Sequence, residues 1–261
     1  MNTAHHPVGA LLRQWRQRRR LSQLDLACEA DISTRHLSFV ETGRALPSRE
    51  MLLHLAEQLE IPLRERNRLL TAAGYAPLYS QHGLEDPALA AARTAIEQLL
   101  KAHEPYPALT IDRQWNLLAA NDAVAPFLAG IPAELLGPPL NVLRISLHPD
   151  GLAPRIVNLA QWRAYLLMRL QHDIDISGDP QLMALQEELL GYPAPEEAPA
   201  PQPDSVLMAL QFRTEQGVLS LISTTTVFGT PNDVTLAELA LETFFPADAE
   251  SAALLRAIAQ P

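Results

Sequence analysis

The stretch LSQLDLACEADISTRHLSFVETGR, Leu21 to Arg44, decides the fold of the first part of the chain. Ser22 carries the short oxygen-bearing side chain that caps a helix N-terminus, so Gln23 to Ala30 is predicted to form a short helix. Asp31-Ile32 then makes a turn, and Ser33 caps a second helix from Thr34 to about Glu41. Gly43 stops that helix, because a helix end favours a residue tolerant of left-handed backbone. At about 100° per residue, Leu37 and Val40 share one side of the second helix, with His36 near their edge. Thr34, Arg35, Ser38, Phe39 and Thr42 face the other way. One side packs and the other is free to read a partner. Two short helices joined by a tight turn, the second with an uncommitted polar side, form the unit that lays a helix in a DNA major groove.

The flanks extend the same pattern. Val8, Leu11, Leu12 and Trp15 recur at the i, i+3, i+4, i+7 spacing of an amphipathic first helix. Arg16, Arg18, Arg19 and Arg20 follow as a basic cluster expected on a solvated face. Ser48 caps a helix with an apolar stripe of Met51, Leu52, Leu55, Ala56 and Leu59. Pro62 starts a fifth helix through Leu63, Leu69, Leu70 and Ala73, ended by Gly74. Ser22-Gln23, Leu26-Ala27, Leu37-Ser38 and Glu41-x-Gly43 stand where a Cro/repressor-like (XRE) helix-turn-helix has its caps and packing residues. The segment resembles that family, which implies a compact five-helix DNA-binding domain over residues 1–75.

The formal net charge of -10 over 261 residues looks wrong for a DNA partner until it is divided along the chain. Residues 1–75 hold 11 Arg and no Lys against 8 acids, a balance of +3; residues 76–261 hold 9 basic groups against 22 acids, a balance of -13. The basic part is the part with the motif. An acidic remainder repels phosphate and is expected to serve another purpose. A single cysteine, Cys28, excludes an intramolecular disulfide and a Cys-based zinc cluster. No apolar run reaches the roughly 18 residues that span a bilayer, and the start lacks a signal-peptide core, so a cytoplasmic protein without a membrane partner is expected.

Residues 76–104 read as a connection followed by a linker helix. Asp86-Pro87 has the N-cap and N1 signature, with Leu89, Ala92, Ile96, Leu99 and Leu100 on the buried side. Beyond Pro107 the period changes. Ala108–Ile111 and Trp115–Ala119 read as short strands around Asp112-Arg113-Gln114, and Asn121 caps a helix with Val124, Phe127 and Leu128. That order resembles the start of a PAS domain. A long helix is predicted from Pro154 to His172, its apolar residues spread over most of its circumference, so it must be covered on several sides. Pro193–Pro203, with five prolines, reads as a loop or flap. Val206–Phe212 and Val218–Phe228 read as two strands around Glu215-Gln216-Gly217. Val234–Phe245 is expected as a further strand, although its Leu-Ala-Glu content also suits a helix, and Asp248–Ala259 as a terminal helix.

Several separated phrases occur in an order that matches one family: STRHLSFVETGRALPSRE at Ser33, RERNRLLTAAGYAP at Arg64, LHPDGL at Leu147, NLAQWR at Asn158 and TTTVFGTPNDVTLAELALETFFPAD at Thr224. They resemble the MmyB-like transcription regulators. The resemblance implies a multidomain chain, with an all-α XRE domain joined to an α+β PAS-like domain with an antiparallel sheet over residues 105–261. It also implies a small, fatty-acid-like effector for the second domain.

Gln23, Thr34, Arg35, Ser38 and Phe39 are the candidates for DNA readout, with Thr42 and Arg44 for phosphate contact. An arginine can grip guanine through two hydrogen bonds, and a phenyl ring can touch a thymine methyl. Phe39 has a second reading, packing against a neighbouring helix or subunit. His148, Asn158, Trp162, Arg163, Leu166 and Leu167 are the effector candidates, since an apolar pocket needs few polar anchors; His148 and Asn158 read equally well as groups that satisfy turn backbone. His172, Asp173 and Asp175 are expected at a solvated helix end rather than on a metal. No metal or cofactor is expected. No G-x-S-x-G elbow, P-loop, H-E-x-x-H or dinucleotide glycine pattern occurs, which leaves an enzyme as the weaker class. A homodimer is expected, and a second domain that only dimerises is the alternative to a sensor.

Overall fold

The computed structural model describes residues 8–193 and 207–259. The chain forms two compact units, whose main segments meet between Gln81 and His82. The loop or flap expected over Pro193–Pro203 lies, beyond Pro193, outside the described residues.

The first unit has five helices: α1 (Val8–Arg18), α2 (Gln23–Glu29), α3 (Thr34–Glu41), α4 (Arg49–Gln58) and α5 (Leu63–Ala72). The serine caps act as read from the sequence. Ser22, Ser33 and Ser48 accept hydrogen bonds from the backbone N–H groups of Asp25, His36 and Met51, and Asp25 returns the bond to Ser22 as a capping box. Leu12, Leu26, Leu37 and Leu55 have no measurable exposure and, with the buried Leu69 and Leu70 of α5, bind the five helices around one core. Gly9 is there because α1 runs hard against the end of α3. A Cβ at Gly9 would lie 2.1 Å from the Val40 carbonyl oxygen, where no side chain fits.

In the second unit, a single turn at Pro87–Leu89 leads into α6 (Ala90–Ala102). Ile96 and Leu100 are buried, but Leu99, expected beside them, is exposed, because the buried stripe on this helix is only wide enough for every fourth residue. Five antiparallel strands form one sheet in the order β2-β1-β5-β4-β3: β1 (Ala108–Ile111), β2 (Leu117–Ala120), β3 (Ala209–Thr214), β4 (Gly217–Val227) and β5 (Ala240–Pro246). Short helices α7 (Ala125–Leu128), α8 (Ala133–Leu136) and α9 (Val142–Leu147) follow β2, and α10 (Leu159–Ser177) and α11 (Pro180–Leu190) precede β3. The α12 turn (Val234–Ala237) precedes β5, and α13 (Ala249–Ala259) ends the described chain.

Several expectations are corrected. The long helix begins at Leu159 rather than Pro154, which sits in a separate single turn, and it runs on to Ser177. Its buried residues, Trp162, Leu166, Leu170 and Ile174, form one stripe at four-residue spacing, and Met168 is 61% exposed, so the helix is covered on one side only. The span expected as one strand from Val234 divides into α12 and β5, the Leu-Ala-Glu content having marked the helical part. Trp115 stands in the turn before β2 with φ +65°, a conformation uncommon for a bulky residue. Asp112 holds that turn by accepting the backbone N–H groups of Gln114 and Asn116. Asn121 does not cap with its side chain. It accepts the Ala108 N–H and donates to the Leu100 and Tyr106 carbonyls, tying α6 to the first strand.

Candidate functional site

The first candidate surface is α3. Leu37 and Val40 are buried, while Thr34, Arg35, Thr42 and Arg44 are exposed and Ser38 and Phe39 half-buried. The Arg35 and Arg44 guanidinium carbons lie 5.4 and 5.9 Å from the centre of the Phe39 ring, so two cations gather at Phe39. The Thr42 hydroxyl donates to the Ser38 carbonyl at 2.7 Å, which commits its hydrogen and leaves only its lone pairs for a partner.

Beneath this face lies a polar junction that the sequence pattern did not single out. The Glu41 side chain is 1% exposed and takes bonds from Arg16 Nε at 2.6 Å, Arg16 Nη2 at 2.8 Å and Gln23 Nε2 at 2.8 Å. Arg16 also donates to the Leu21 carbonyl at 2.8 Å. Burial pushes the Glu41 carboxyl up, but the bonds from Arg16 and Gln23 together with the Arg16 charge outweigh it, and the group is held below the ordinary glutamate value. One buried carboxylate therefore fastens α1, α2 and α3 together. Arg16 leaves the solvated cluster, and Gln23 spends one amide N–H on Glu41, which leaves its second hydrogen and its carbonyl oxygen for a partner. Arg19 is likewise structural, donating to the carbonyls of Leu59 and Glu60 at the end of α4.

The second candidate is a cavity of about 130 Å³ between α9, α10 and one face of the sheet. Strand alternation puts Leu210, Leu221, Ser223, Glu242 and Phe244 on that face, with Leu109, Val124, Phe127, Val142 and Leu152 completing an apolar wall. Trp162 and Leu166 of the effector candidates line it; His148, Asn158, Arg163 and Leu167 do not. His148 Nδ1 accepts the Asp150 N–H at 3.0 Å, inside a tight return onto α9 where a Cβ on Gly151 would lie 2.2 Å from the Ile145 carbonyl. The LHPDGL phrase is thus a turn. Asn158 bridges to β3, donating to the Ala209 carbonyl and accepting the Gln211 N–H. Arg163 donates to the Leu189 and Leu190 carbonyls at the end of α11.

The charged groups of the cavity are ones the sequence did not mark. Arg169, one turn beyond Leu166 on α10, grips Glu242 of β5 through Nη2 at 2.7 Å and Nη1 at 3.2 Å. Thr225 supports the pair, donating to Glu242 at 2.8 Å and accepting from Arg169 at 3.1 Å. The guanidinium lies over the Trp115 ring at 4.7 Å. Burial lowers the tendency of Arg169 to hold its proton, yet the bond and charge of Glu242 raise it overall. Trp115 Nε1 in turn donates to Asp173 at 2.9 Å, so Asp173 is not at a solvated helix end; its burial raises the carboxyl above the ordinary aspartate value. Only a search for spaced Arg and Glu on separate elements, which has no sequence signature, would have found this pair. The described residues contain no group of three His, Cys, Asp or Glu side chains suited to a metal ion, and no helix long and apolar enough to cross a membrane.

Comparison with curated proteins gives no match. Residues 7–69 match the model of a helix-turn-helix domain, which covers α1 to α4, most of α5 and the exposed face of α3. Residues 92–258 match the model of the MmyB-like transcription regulator ligand binding domain, which covers most of α6, the whole sheet and the cavity. The chain is a DNA-binding transcription regulator with a ligand-sensing domain, and it belongs to the MmyB-like transcription regulators.

Proposed function

We propose that this regulator reads an operator through α3 as a homodimer and that a small apolar molecule, such as one with a fatty-acid-like chain, sets its affinity by occupying the cavity of the second unit. The observation that carries the reading is the cavity itself, an apolar space inside the ligand-binding region with Trp162 and Leu166 in its wall. An apolar cavity of roughly 150 Å³ takes a benzene-sized guest. By that measure the space here suits about six carbon atoms, the end of a chain or a small ring.

On the DNA side, Arg35 is the base-reading group and Arg44 a phosphate contact, from their exposure at the start and just beyond the end of α3. One helix reads only a few base pairs, so two-fold pairing is needed to place a second helix about 34 Å away. Selection from a random DNA library with the full chain, followed by binding of the selected sequence at several salt concentrations, tests this. Arg35→Ala is expected to cost roughly 1–3 kcal/mol and to relax preference at one base position. Arg44→Ala is expected to weaken all sequences alike and to reduce the salt slope by about one. A single unpaired half-site in the selected DNA, or uniform loss from both variants, overturns the arrangement.

A further inference from the structure

The polar groups around the cavity define which end of a ligand it can bury. Its two charged wall groups, Arg169 and Glu242, are spent on each other: the carboxylate meets the guanidinium through both oxygens, and Thr225 holds the pair from the side. The Glu242 residue is 4% exposed, so solvent does little to screen it. A carboxylate arriving from a ligand finds the cation already neutralised and a second carboxylate beside it. It would lose its water and gain no unpaired charge in return. A primary amine meets the converse problem, an acid already occupied by an arginine. Hydroxyl groups are what the wall still offers. Ser146 Oγ accepts the Trp162 indole N–H at 3.0 Å, which leaves the serine its own hydrogen to donate, and Ser223 presents a second hydroxyl from β4.

We infer that the cavity takes an uncharged ligand whose buried polar atom is a hydroxyl, ether or carbonyl oxygen held by Ser146 and Ser223, and that the Arg169–Glu242 pair acts as a filter against free acids. This inference rests on the reading of the cavity as the effector site and narrows the fatty-acid-like class to its neutral derivatives. Discrimination of this kind comes from the group left unpaired in the wrong complex rather than from a better fit to the right one. The filter also has a simple inverse. Removing the Glu242 charge frees the Arg169 guanidinium from the acid it grips, with the charge of Asp173 still acting on it from outside the cavity wall, and opens a site for a ligand carboxylate.

The test uses probes matched to a six-carbon space, 1-hexanol and hexanoate, added to the full chain and followed by calorimetry and by tryptophan fluorescence, since Trp115 and Trp162 both line the cavity. At neutral pH the wild type is expected to bind 1-hexanol at least tenfold more tightly than hexanoate. Glu242→Gln is expected to reverse or abolish that preference by improving hexanoate. Because Glu242→Gln leaves a buried guanidinium without its acid and can unfold the unit, the paired change Arg169→Met with Glu242→Leu serves as the second variant. It removes both charges, and it is expected to keep 1-hexanol binding while still rejecting hexanoate. Hexanoate bound as tightly as 1-hexanol by the wild type, or a preference that Glu242→Gln leaves untouched, overturns the filter while the effector site stands. Binding of neither probe overturns the cavity as an effector site and the filter with it.

Discussion

Replacing Glu41 with Ala tests whether the buried junction under α3 is what holds the DNA-reading helix in place. The substitution removes three charge-assisted hydrogen bonds of 2.6–2.8 Å and leaves Arg16, whose side chain is 9% exposed, with the Leu21 carbonyl as its remaining partner. Breaking one side of a buried ion pair costs about 3–5 kcal/mol, because the other charge stays in a low-dielectric site without compensation. A unit of some 70 residues has a total stability of roughly 4–10 kcal/mol, so the variant should leave the first unit barely folded. The pair Arg16→Met with Glu41→Leu removes both charges and fills the space. It should recover most of the loss, and the difference measures the coupling. Hydrogen exchange at the Leu37 and Val40 amides reports the first unit separately from the second, which a single melting curve does not. The pH dependence follows in sign. The Glu41 carboxyl lies below its ordinary 4.5 in the folded chain, so its contribution is full above that pH and is lost as pH falls through the folded value. Protection of α3 should therefore fall selectively in acid below about pH 4.5. A loss under about 1 kcal/mol in Glu41→Ala, or a double variant no better than the single, would refute the reasoning.

Two further substitutions probe the packing on either side of the chain. Gly9→Ala gains up to about 1 kcal/mol of helix propensity but drives a methyl to within 2.1 Å of a backbone oxygen. The clash should win by roughly 1–3 kcal/mol and shift α3, so operator affinity and α3 protection fall together; unchanged stability contradicts it. The Thr110 hydroxyl is a buried group with no hydrogen-bond partner, on a residue 1% exposed in the sheet. Thr110→Val keeps the shape and removes the orphan, so denaturation of the second unit should show it neutral or stabilised by roughly 1 kcal/mol, and a loss of that size would mean the hydroxyl has a role.

The first unit was legible because its information is local. Serine caps, a terminating glycine and apolar residues at helical spacing each act within a few positions, and Ser22, Ser33, Ser48 and Gly43 mark helix boundaries directly. The sheet was legible in part. Ala108–Ile111 coincides with β1, whereas β3 lies about two residues later than the apolar run suggests, since pairing with β4 rather than composition sets its end. The long helix was misplaced at its start because Pro154 suits the first turn of any helix, and here it opens only a single turn. The cavity's charged pair was out of reach for a different reason. Arg169 and Glu242 are 73 positions apart and meet only through the packing of α10 on β5. The effector candidates taken from conspicuous phrases, His148 and Asn158, instead satisfy backbone groups, the second of the two readings their surroundings allowed.

If the state of the cavity sets DNA affinity, Leu166→Trp should uncouple the two, because Leu166 lines the cavity and lies in the second unit. A ligand shifts an equilibrium only by its differential affinity for the two states, and a coupling of roughly 1–3 kcal/mol corresponds to about 5- to 150-fold. The measurement is fluorescence anisotropy of the selected operator at fixed salt, with the wild type and Leu166→Trp each titrated with saturated six- to fourteen-carbon alcohols and acids, while tryptophan emission reports cavity occupancy. At least one compound is expected to change wild-type operator affinity by about 5-fold or more, and Leu166→Trp to keep basal affinity and lose the response. Cavity occupancy seen in the emission with operator affinity unchanged would contradict it.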